Sequence, residues 1–326
     1  MAAAVTEVAA GAMAGEPAAP ATVAVVGTGR MGGAMAVRLA SAGHPLVVYN
    51  RTGSRADEVA ADTGATVVGT AREAAAAADV VLVSLADDTA MTSTYQGPDG
   101  LVAGVREDAV VVETSTVHPD TVRALAPLLA ARSAVLLDAP VSGSVPVVQR
   151  GELTFMVGGD PAALDRVRPI LDRLASRIFH LGDQGAGATM KLAVNAIVHA
   201  LNQAIAEALV LAEKAGVDRH AAYEVFTASA IAAPFVLYKR DAFEHPESTK
   251  PAFMLDLAAK DLALIDDLAG SVGARMDQLD TNRRMVQEAQ AEGFGQRDLS
   301  AIADLLRGAP ATDGESAPAS SERSPG

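Results

Sequence analysis

Residues Val23-Ala24-Val25-Val26-Gly27-Thr28-Gly29-Arg30-Met31-Gly32 constrain the fold more than any other stretch of the chain. A short apolar strand runs into glycines spaced G-x-G-x-x-G, and Ala34, Val37, Leu39 and Ala40 then open a helix. The first glycine permits a tight turn, and the second lets backbone N–H groups approach a pyrophosphate. The third allows close helix–strand packing, while the helix N-terminus favours an anion. In a chain with 28 glycines the spacing alone says little. The strand before it and the helix after it give it meaning. A second strand, Pro45-Leu46-Val47-Val48-Tyr49, ends at Asn50-Arg51-Thr52, about 20 residues on, where such a unit reads the ribose. An Asp or Glu there would accept from the 2′-hydroxyl. This chain instead has Arg51 flanked by Asn50 and Thr52, with Ser54 and Arg55 close behind. A guanidinium and neutral donors suit a 2′-phosphate. The expected cofactor is therefore NADP(H), held by Gly27, Thr28, Gly29, Arg30, Met31, Gly32, Asn50, Arg51 and Thr52.

The alternation of strand and helix continues beyond this unit. A helix over Ser54–Asp62 leads to Thr66-Val67-Val68, and an Ala-rich helix follows over Ala71–Ala78. Strands are then expected at Val80–Val83, Ala109–Glu113 and Ala134–Leu137, with a helix over Asp120–Ala131 and one further strand at Thr154–Val157. Near-continuous Val/Leu runs are what parallel strands buried on both faces require. Residues 21–184 are therefore expected to form a doubly wound, Rossmann-type α/β domain. From Gly185 the pattern is helical without strands. Ala186–Ala215 has no Pro and ends at Gly216, a plausible C-cap. At about 30 residues it would span about 45 Å, so it should run between domains and pack on further helices or a second subunit. Helices at Asp218–Ser229, Phe235–Phe243, Phe253–Val272 and Met276–Ala291 complete an all-α domain over residues 185–307. Its long apolar helix points to a homodimer. Residues 1–20 and 308–326, rich in Ala, Pro, Gly and Ser, are expected to be an unstructured extension and tail.

Composition narrows the function. A length of 326 residues fits two domains. A net charge of -14 with four Tyr, seven Phe and no Trp argues against a nucleic-acid surface. The absence of cysteine excludes disulfides, zinc–thiolate sites and thiol nucleophiles, and is compatible with the cytoplasm. Met1–Pro20 has no basic residue and so lacks the charged start of a signal peptide. Leu192–Leu211 is interrupted by Asn195, His199, Asn202, Gln203 and Glu207, which reads as a buried core helix and not a membrane span.

Lysine usage points to the chemistry. Of 26 basic residues only Lys191, Lys214, Lys239, Lys250 and Lys260 are lysine, and none lies in the first 190 residues. An ammonium can give up its proton when burial lowers its pKa, whereas a guanidinium cannot. Lys191 and Asn195 stand at i and i+4 and so share one helix face. A lysine snorkelling at a helix start is the alternative. The preceding Gly182–Gly187 loop would bring this helix end near the strands' carboxyl ends, where open α/β sheets bind ligands. Glu113-Thr114-Ser115-Thr116 and Asp138-Ala139-Pro140-Val141-Ser142-Gly143-Ser144 end two late strands. Their small hydroxyls and bare N–H groups could hold a carboxylate, although Ser and Gly are equally at home there as turn formers. Lys260-Asp261 reads as a surface charge pair. None of the six histidines has ligand spacing. His118 reads as a helix cap, His199 as a core residue, and no metal site is expected.

Taken together, these motifs resemble the β-hydroxyacid dehydrogenase family, which includes 3-hydroxyisobutyrate dehydrogenases and tartronate semialdehyde reductases. The resemblance covers roughly Ala21 to Leu306. It rests on Gly27–Gly32, Thr114-Ser115-Thr116, Asp138–Ser144, Lys191-Leu192-Ala193-Val194-Asn195 and Lys260-Asp261-Leu262, in that order. Asn50-Arg51-Thr52, Ser142-Gly143-Ser144 and Ala230-Ile231-Ala232-Ala233-Pro234 are most similar to the glyoxylate/succinic semialdehyde reductase branch. The resemblance implies that Lys191 is the general acid protonating an aldehyde oxygen, and the base in reverse, with Asn195 holding it in register. It further implies that Ser142, Gly143 and Ser144 bind the substrate carboxylate, and that Phe253 and Asp261 shape the pocket. Ser144 stands where many members have a second glycine. Leu85 joins the cofactor-binding set, and Thr116 and Lys260 would lie against the nicotinamide end. The expected partner is thus a small carboxylate-bearing aldehyde. Imine reductases resemble the same fold but generally lack a lysine at the position of Lys191. NAD-linked oxidation of a 3-hydroxy acid is disfavoured by Arg51. A non-catalytic scaffold would be free to lose Lys191 and Asn195.

Overall fold

The computed structural model describes residues 6–7 and 21–308. They fall into two compact units. One runs to Asn195 and takes in Asp267–Gly273, and the other comprises Ala196–Asp266 and the chain from Ala274. The division lies inside the long helix, after Asn195, rather than ahead of it.

The first unit is built on strands β1 (Thr6–Glu7), β2 (Val23–Val26), β3 (Leu46–Tyr49), β4 (Thr66–Val67), β5 (Val80–Val83), β6 (Val110–Glu113), β7 (Val135–Asp138), β8 (Val141–Ser142), β9 (Leu153–Gly158) and β10 (Ala175–Gly182). They form one sheet in the order β1-β10-β9-β7-β6-β5-β2-β3-β4, with β8 paired to β9 off that path. From β4 to β7 every neighbouring pair is parallel. Counted from β2, this stretch reads 3-2-1-4-5-6, the doubly wound order whose direction reverses between β2 and β5. Val23–Val26 are fully buried, as the unbroken apolar run requires. One face of the sheet packs under the Arg30–Ser41 helix through Met35, Ala36 and Leu39. The other packs through Met91, Tyr95, Val122 and Leu125.

Several elements lie outside the sequence reading. β10 runs parallel to β9 after the helix Pro161–Leu171. Its polar Ser176, Arg177 and His180 hide the strand period in the sequence, because it lies next to the sheet edge. Thr6–Glu7, inside the stretch expected to lack structure, pair antiparallel with Phe179 and His180. The remaining residues of the expected extension and tail, bar Gly308, lie outside the described residues.

The second unit is helical. It takes the rest of the Ala186–Lys214 helix and adds Arg219–Ala228, Pro234–Tyr238, Arg240–Glu244, most of Leu255–Val272, Asp277–Ala291 and Ile302–Arg307. The single helix expected at Phe235–Phe243 is two short ones, broken at Lys239. A buried ion pair sits at the break. Lys239 Nζ donates to Asp298 Oδ1 at 2.6 Å and Oδ2 at 2.8 Å, with both side chains under 10% exposed. Asp298 also accepts the N–H groups of Ala252 and Ser300, so one carboxylate gathers three chain segments. The last helix is tied down by Arg307, which donates to Glu213 and Asp304. Ala186–Lys214 has the length and hydropathy of a membrane span, but Asn195, His199, Asn202 and Gln203 are buried in it, as befits a core helix.

Candidate functional site

The glycine turn follows β2 at the point where the strand order reverses. Gly27 has φ +89, and a β-carbon there would overlap the Ser84 carbonyl oxygen. A β-carbon at Gly32 would collide with the Gly27 carbonyl, so the helix packs as closely on the turn as the motif requires. Gly29 differs, because a β-carbon there would meet nothing within 4 Å among the described residues. Gly29 is the N-cap of the Arg30–Ser41 helix, whose first turn has neither a side-chain cap nor an acidic residue. Thr28 Oγ1 is buried without a hydrogen-bond partner among the described residues. Open space, an uncapped helix start and an orphaned hydroxyl together fit a dinucleotide pyrophosphate.

Asn50 has a second task. Its Oδ1 accepts from the Thr28 N–H at 3.1 Å and its Nδ2 donates to the Thr52 carbonyl at 2.9 Å, so it braces the glycine turn against the turn after β3. Arg51 and Thr52 are exposed beside it. Thr52 is the N-cap of the Gly53–Thr63 helix, which has no side-chain cap bond and no acid in its first turn.

The ends of β5 and β6 are sewn together. Leu85 N–H donates to Ser115 Oγ at 2.7 Å, and Asp88 Oδ1 accepts from His118 N–H and Thr121 Oγ1. Thr116 is half-buried between these ties. Glu113, at the end of β6, is 1% exposed. Its Oε1 accepts from Ser115 N–H at 2.9 Å and its Oε2 from Tyr95 Oη at 2.8 Å. Burial pushes this carboxyl from its ordinary 4.5 up to about 7, against hydrogen bonds from Ser115 and Tyr95 and with the help of the nearby Asp88 charge. Asp138 of β7 is its register neighbour. A raised carboxyl pKa stabilises the fold fully below the unfolded value and loses that contribution as pH rises through the folded value. Glu113→Gln, which carries no charge, should therefore unfold at a higher temperature than the wild type at pH 8. The gain, on the order of 1–3 kcal/mol, should shrink to under about 1 kcal/mol at pH 5 and vanish below the unfolded value. Thermal unfolding at the two pH values measures it, and an equal shift at both would contradict the ionisation argument.

The next strand end positions Lys191. Asp138 is 1% exposed. Its Oδ1 accepts from Gly185 N–H at 2.8 Å and its Oδ2 from Ala188 N–H at 2.9 Å, while burial raises its pKa against these bonds. The carboxyl thus caps the start of the Ala186–Lys214 helix from the end of β7. A β-carbon at Gly187 would overlap the carbonyl oxygens of Met156 and Asp138, so the helix start is pressed onto the strand ends. Half-buried Lys191 and buried Asn195 follow, one turn apart. Ser142 lies in β8, and Gly143 adopts φ +139 with Leu153 and Val147 where a β-carbon would go, which only glycine tolerates. Ser144 is the N-cap of the Val145–Arg150 helix but makes no side-chain cap bond. Turn geometry thus accounts for the glycine, and the Ser144 hydroxyl is not used as a cap.

The remaining predicted residues lie in the second unit. Lys260 Nζ is 3.1 Å from Asp261 Oδ1, but Asp261 is 2% exposed. The pair expected on the surface is therefore buried on its acidic side. Asp261 Oδ2 is 3.9 Å from His199 Nε2, and the His199 ring lies 6.0 Å from that of Phe253. The Phe253 N–H is held by Asp298 at 3.3 Å. His118 caps its helix through Nδ1, which accepts from Asp120 N–H, and His199 is a core residue, both as expected. Glu113, Asp138 and Asp298 escaped the sequence reading as site residues. Their only local signal is an acid at or beside an apolar segment.

Comparison with known proteins agrees with this geometry. Residues 22–182 match the family described as the NAD binding domain of 6-phosphogluconate dehydrogenase, and residues 185–306 the one described as NAD-binding of NADP-dependent 3-hydroxyisobutyrate dehydrogenase. The chain is 31% identical over 291 residues to an NAD-dependent L-serine dehydrogenase of Pseudomonas aeruginosa, covering 87% of this chain and 97% of that one. It is 31% identical over 289 residues to glyoxylate/succinic semialdehyde reductase 2, chloroplastic, of Arabidopsis thaliana, covering 88% and 80%. The structure of Mycobacterium tuberculosis 3-hydroxyisobutyrate dehydrogenase with L-serine matches with a TM-score of 0.78 at 31% identity, covering 88% of this chain and 99% of that one. Dinucleotide turn, strand order, helical second unit and relatives agree: the chain belongs to the β-hydroxyacid dehydrogenase family of NAD(P)-dependent oxidoreductases.

Proposed function

We propose that this protein is an NADPH-dependent reductase of small carboxylate-bearing aldehydes, of the glyoxylate or succinic semialdehyde type, with Lys191 as its general acid. The observation that carries the proposal is the seating of the lysine helix. Asp138 binds the N–H groups of Gly185 and Ala188, which puts Lys191 one turn from strand ends that also bear the Ser142–Ser144 loop. When bound, the nicotinamide cofactor supplies the hydride that the aldehyde carbon accepts. Lys191 gives its ammonium proton to the carbonyl oxygen as that oxygen gains charge, and recovers a proton from solvent afterwards. Asn195, one turn along, keeps the lysine and the substrate oxygen aligned. Ser142 and the N–H groups around Gly143 receive the carboxylate. Consumption of NADPH with glyoxylate and with succinic semialdehyde tests the reading, and no turnover of either aldehyde would reject it.

The preference for NADPH rests on Arg51, exposed beside the uncapped start of the Gly53–Thr63 helix. A guanidinium pairs with a phosphate dianion and has no such partner on a bare ribose. Arg51→Asp should move the ratio of kcat/KM values from NADPH towards NADH by about tenfold or more, the equivalent of one charge-assisted hydrogen bond. An unchanged ratio would remove Arg51 from the argument. The exposed Ile197 and Leu211 of the long helix support a homodimer through the helical unit, and the composition supports a cytoplasmic site of action.

A further inference from the structure

We propose that Glu113 is a positioning residue for the cofactor: through Ser115 it fixes the main chain at Leu85, beside the dinucleotide site, and at the residue that leads into Thr116. The proposal rests on the dinucleotide reading, and requires neither the aldehyde substrate nor Lys191. Its basis is a chain of buried bonds that joins three strand ends at one residue. The Glu113 carbonyl oxygen accepts from Ala139 N–H at 2.7 Å, at the head of the Ser142–Ser144 loop. Its carboxylate accepts from Ser115 N–H and Tyr95 Oη, and Ser115 Oγ in turn accepts from Leu85 N–H. Thr114 adds N–H and Oγ1 bonds to the Val83 carbonyl.

Burying a carboxyl to hold one serine amide is a poor way to stabilise a fold. What the carboxylate adds is direction. One carboxylate oxygen sets the Ser115 peptide while the other is held by Tyr95 Oη, and the Ser115 hydroxyl sets the Leu85 peptide, at adjacent strand ends beside the point where the strand order reverses. Such points are where doubly wound sheets bind dinucleotides. A residue of this kind lowers fold stability while raising ligand affinity, and that opposition can be measured.

The experiment is calorimetric titration of NADPH into the wild type, Glu113→Gln, Ser115→Ala and Ser115→Thr, with thermal unfolding of each ligand-free protein at pH 8. We expect Ser115→Ala to raise Kd by about fivefold, the factor that one lost hydrogen bond supplies, and Glu113→Gln, whose amide oxygen can still accept from Ser115 N–H but without a carboxylate's strength, to raise it by about twofold. Ser115→Thr, which keeps the hydroxyl, should stay near the wild type. Ligand-free Glu113→Gln should unfold no earlier than the wild type, so that weaker binding cannot be a folding defect. Unchanged Kd in both Glu113→Gln and Ser115→Ala would overturn the proposal, as would losses of affinity that only track a lowered Tm. A wild type that binds NADPH yet reduces neither aldehyde would refute the substrate reading, and the variants' Kd values would still decide the role of Glu113.

Discussion

Replacing Lys191 with alanine should lower kcat/KM for aldehyde reduction by about 10²- to 10⁴-fold, the range over which a positioned proton donor contributes. The loss should fall on kcat, because the donor acts on charge that develops only in the transition state. NADPH affinity should stay within about twofold, since the cofactor features lie on other elements, after β2, β3, β5 and β6. Lys191→Arg should be nearly as inactive, because a guanidinium cannot release its proton near neutral pH. The helix itself should survive both changes: its start is held by Asp138 through main-chain N–H groups of Gly185 and Ala188, not by the lysine. Steady-state kinetics with unfolding curves for both variants separate chemistry from folding. Full turnover by Lys191→Ala would refute its role as the acid.

The second large effect separates two glycines of one motif. Gly27→Ala should destabilise the protein by about 3 kcal/mol or more, because the new methyl group meets the Ser84 carbonyl and the backbone must hold a left-handed conformation. Ser84 N–H donates to Val26, so relief by moving Ser84 would strain the pairing of β2 with β5. Gly29→Ala should cost only about 1 kcal/mol, the N-cap preference for glycine over alanine, since its β-carbon meets nothing within 4 Å among the described residues. The same open space is where a pyrophosphate would approach, so Gly29→Ala should bind NADPH at least about tenfold more weakly. Thermal unfolding and NADPH titration of both variants test the pair together. A Gly29→Ala protein with wild-type affinity would show that the phosphates do not approach this turn.

Much of this was legible in the chain because its physics is local. The Val23–Val26 run, the three glycines and the opening helix lie within a few residues of one another. Their sterics admit few arrangements, and the buried β strands declare themselves as apolar runs. The pairing of Lys191 with Asn195 follows from helix periodicity alone. Arg51 in place of an acid is likewise read directly, one strand after the turn.

The acids tell a different story. Asp138, Glu113 and Asp298 look in the sequence like ordinary polar residues at or beside segment ends, and Asp261 like a surface charge within a helix. Asp138 caps the helix start at Gly185 and Ala186, Glu113 meets Tyr95 from a helix that precedes its strand, and Asp298 binds Lys239 at the break in a predicted helix. What makes each of them matter is desolvation and a partner distant in sequence, and both exist only once the chain has closed on itself. Sequence alone determined the dinucleotide turn, the doubly wound class and the lysine helix, because short-range sterics and hydrophobic period dictate them. Tertiary structure alone decided which carboxylates are buried and which main-chain N–H groups they hold, because the energy of a buried charge depends on everything packed around it.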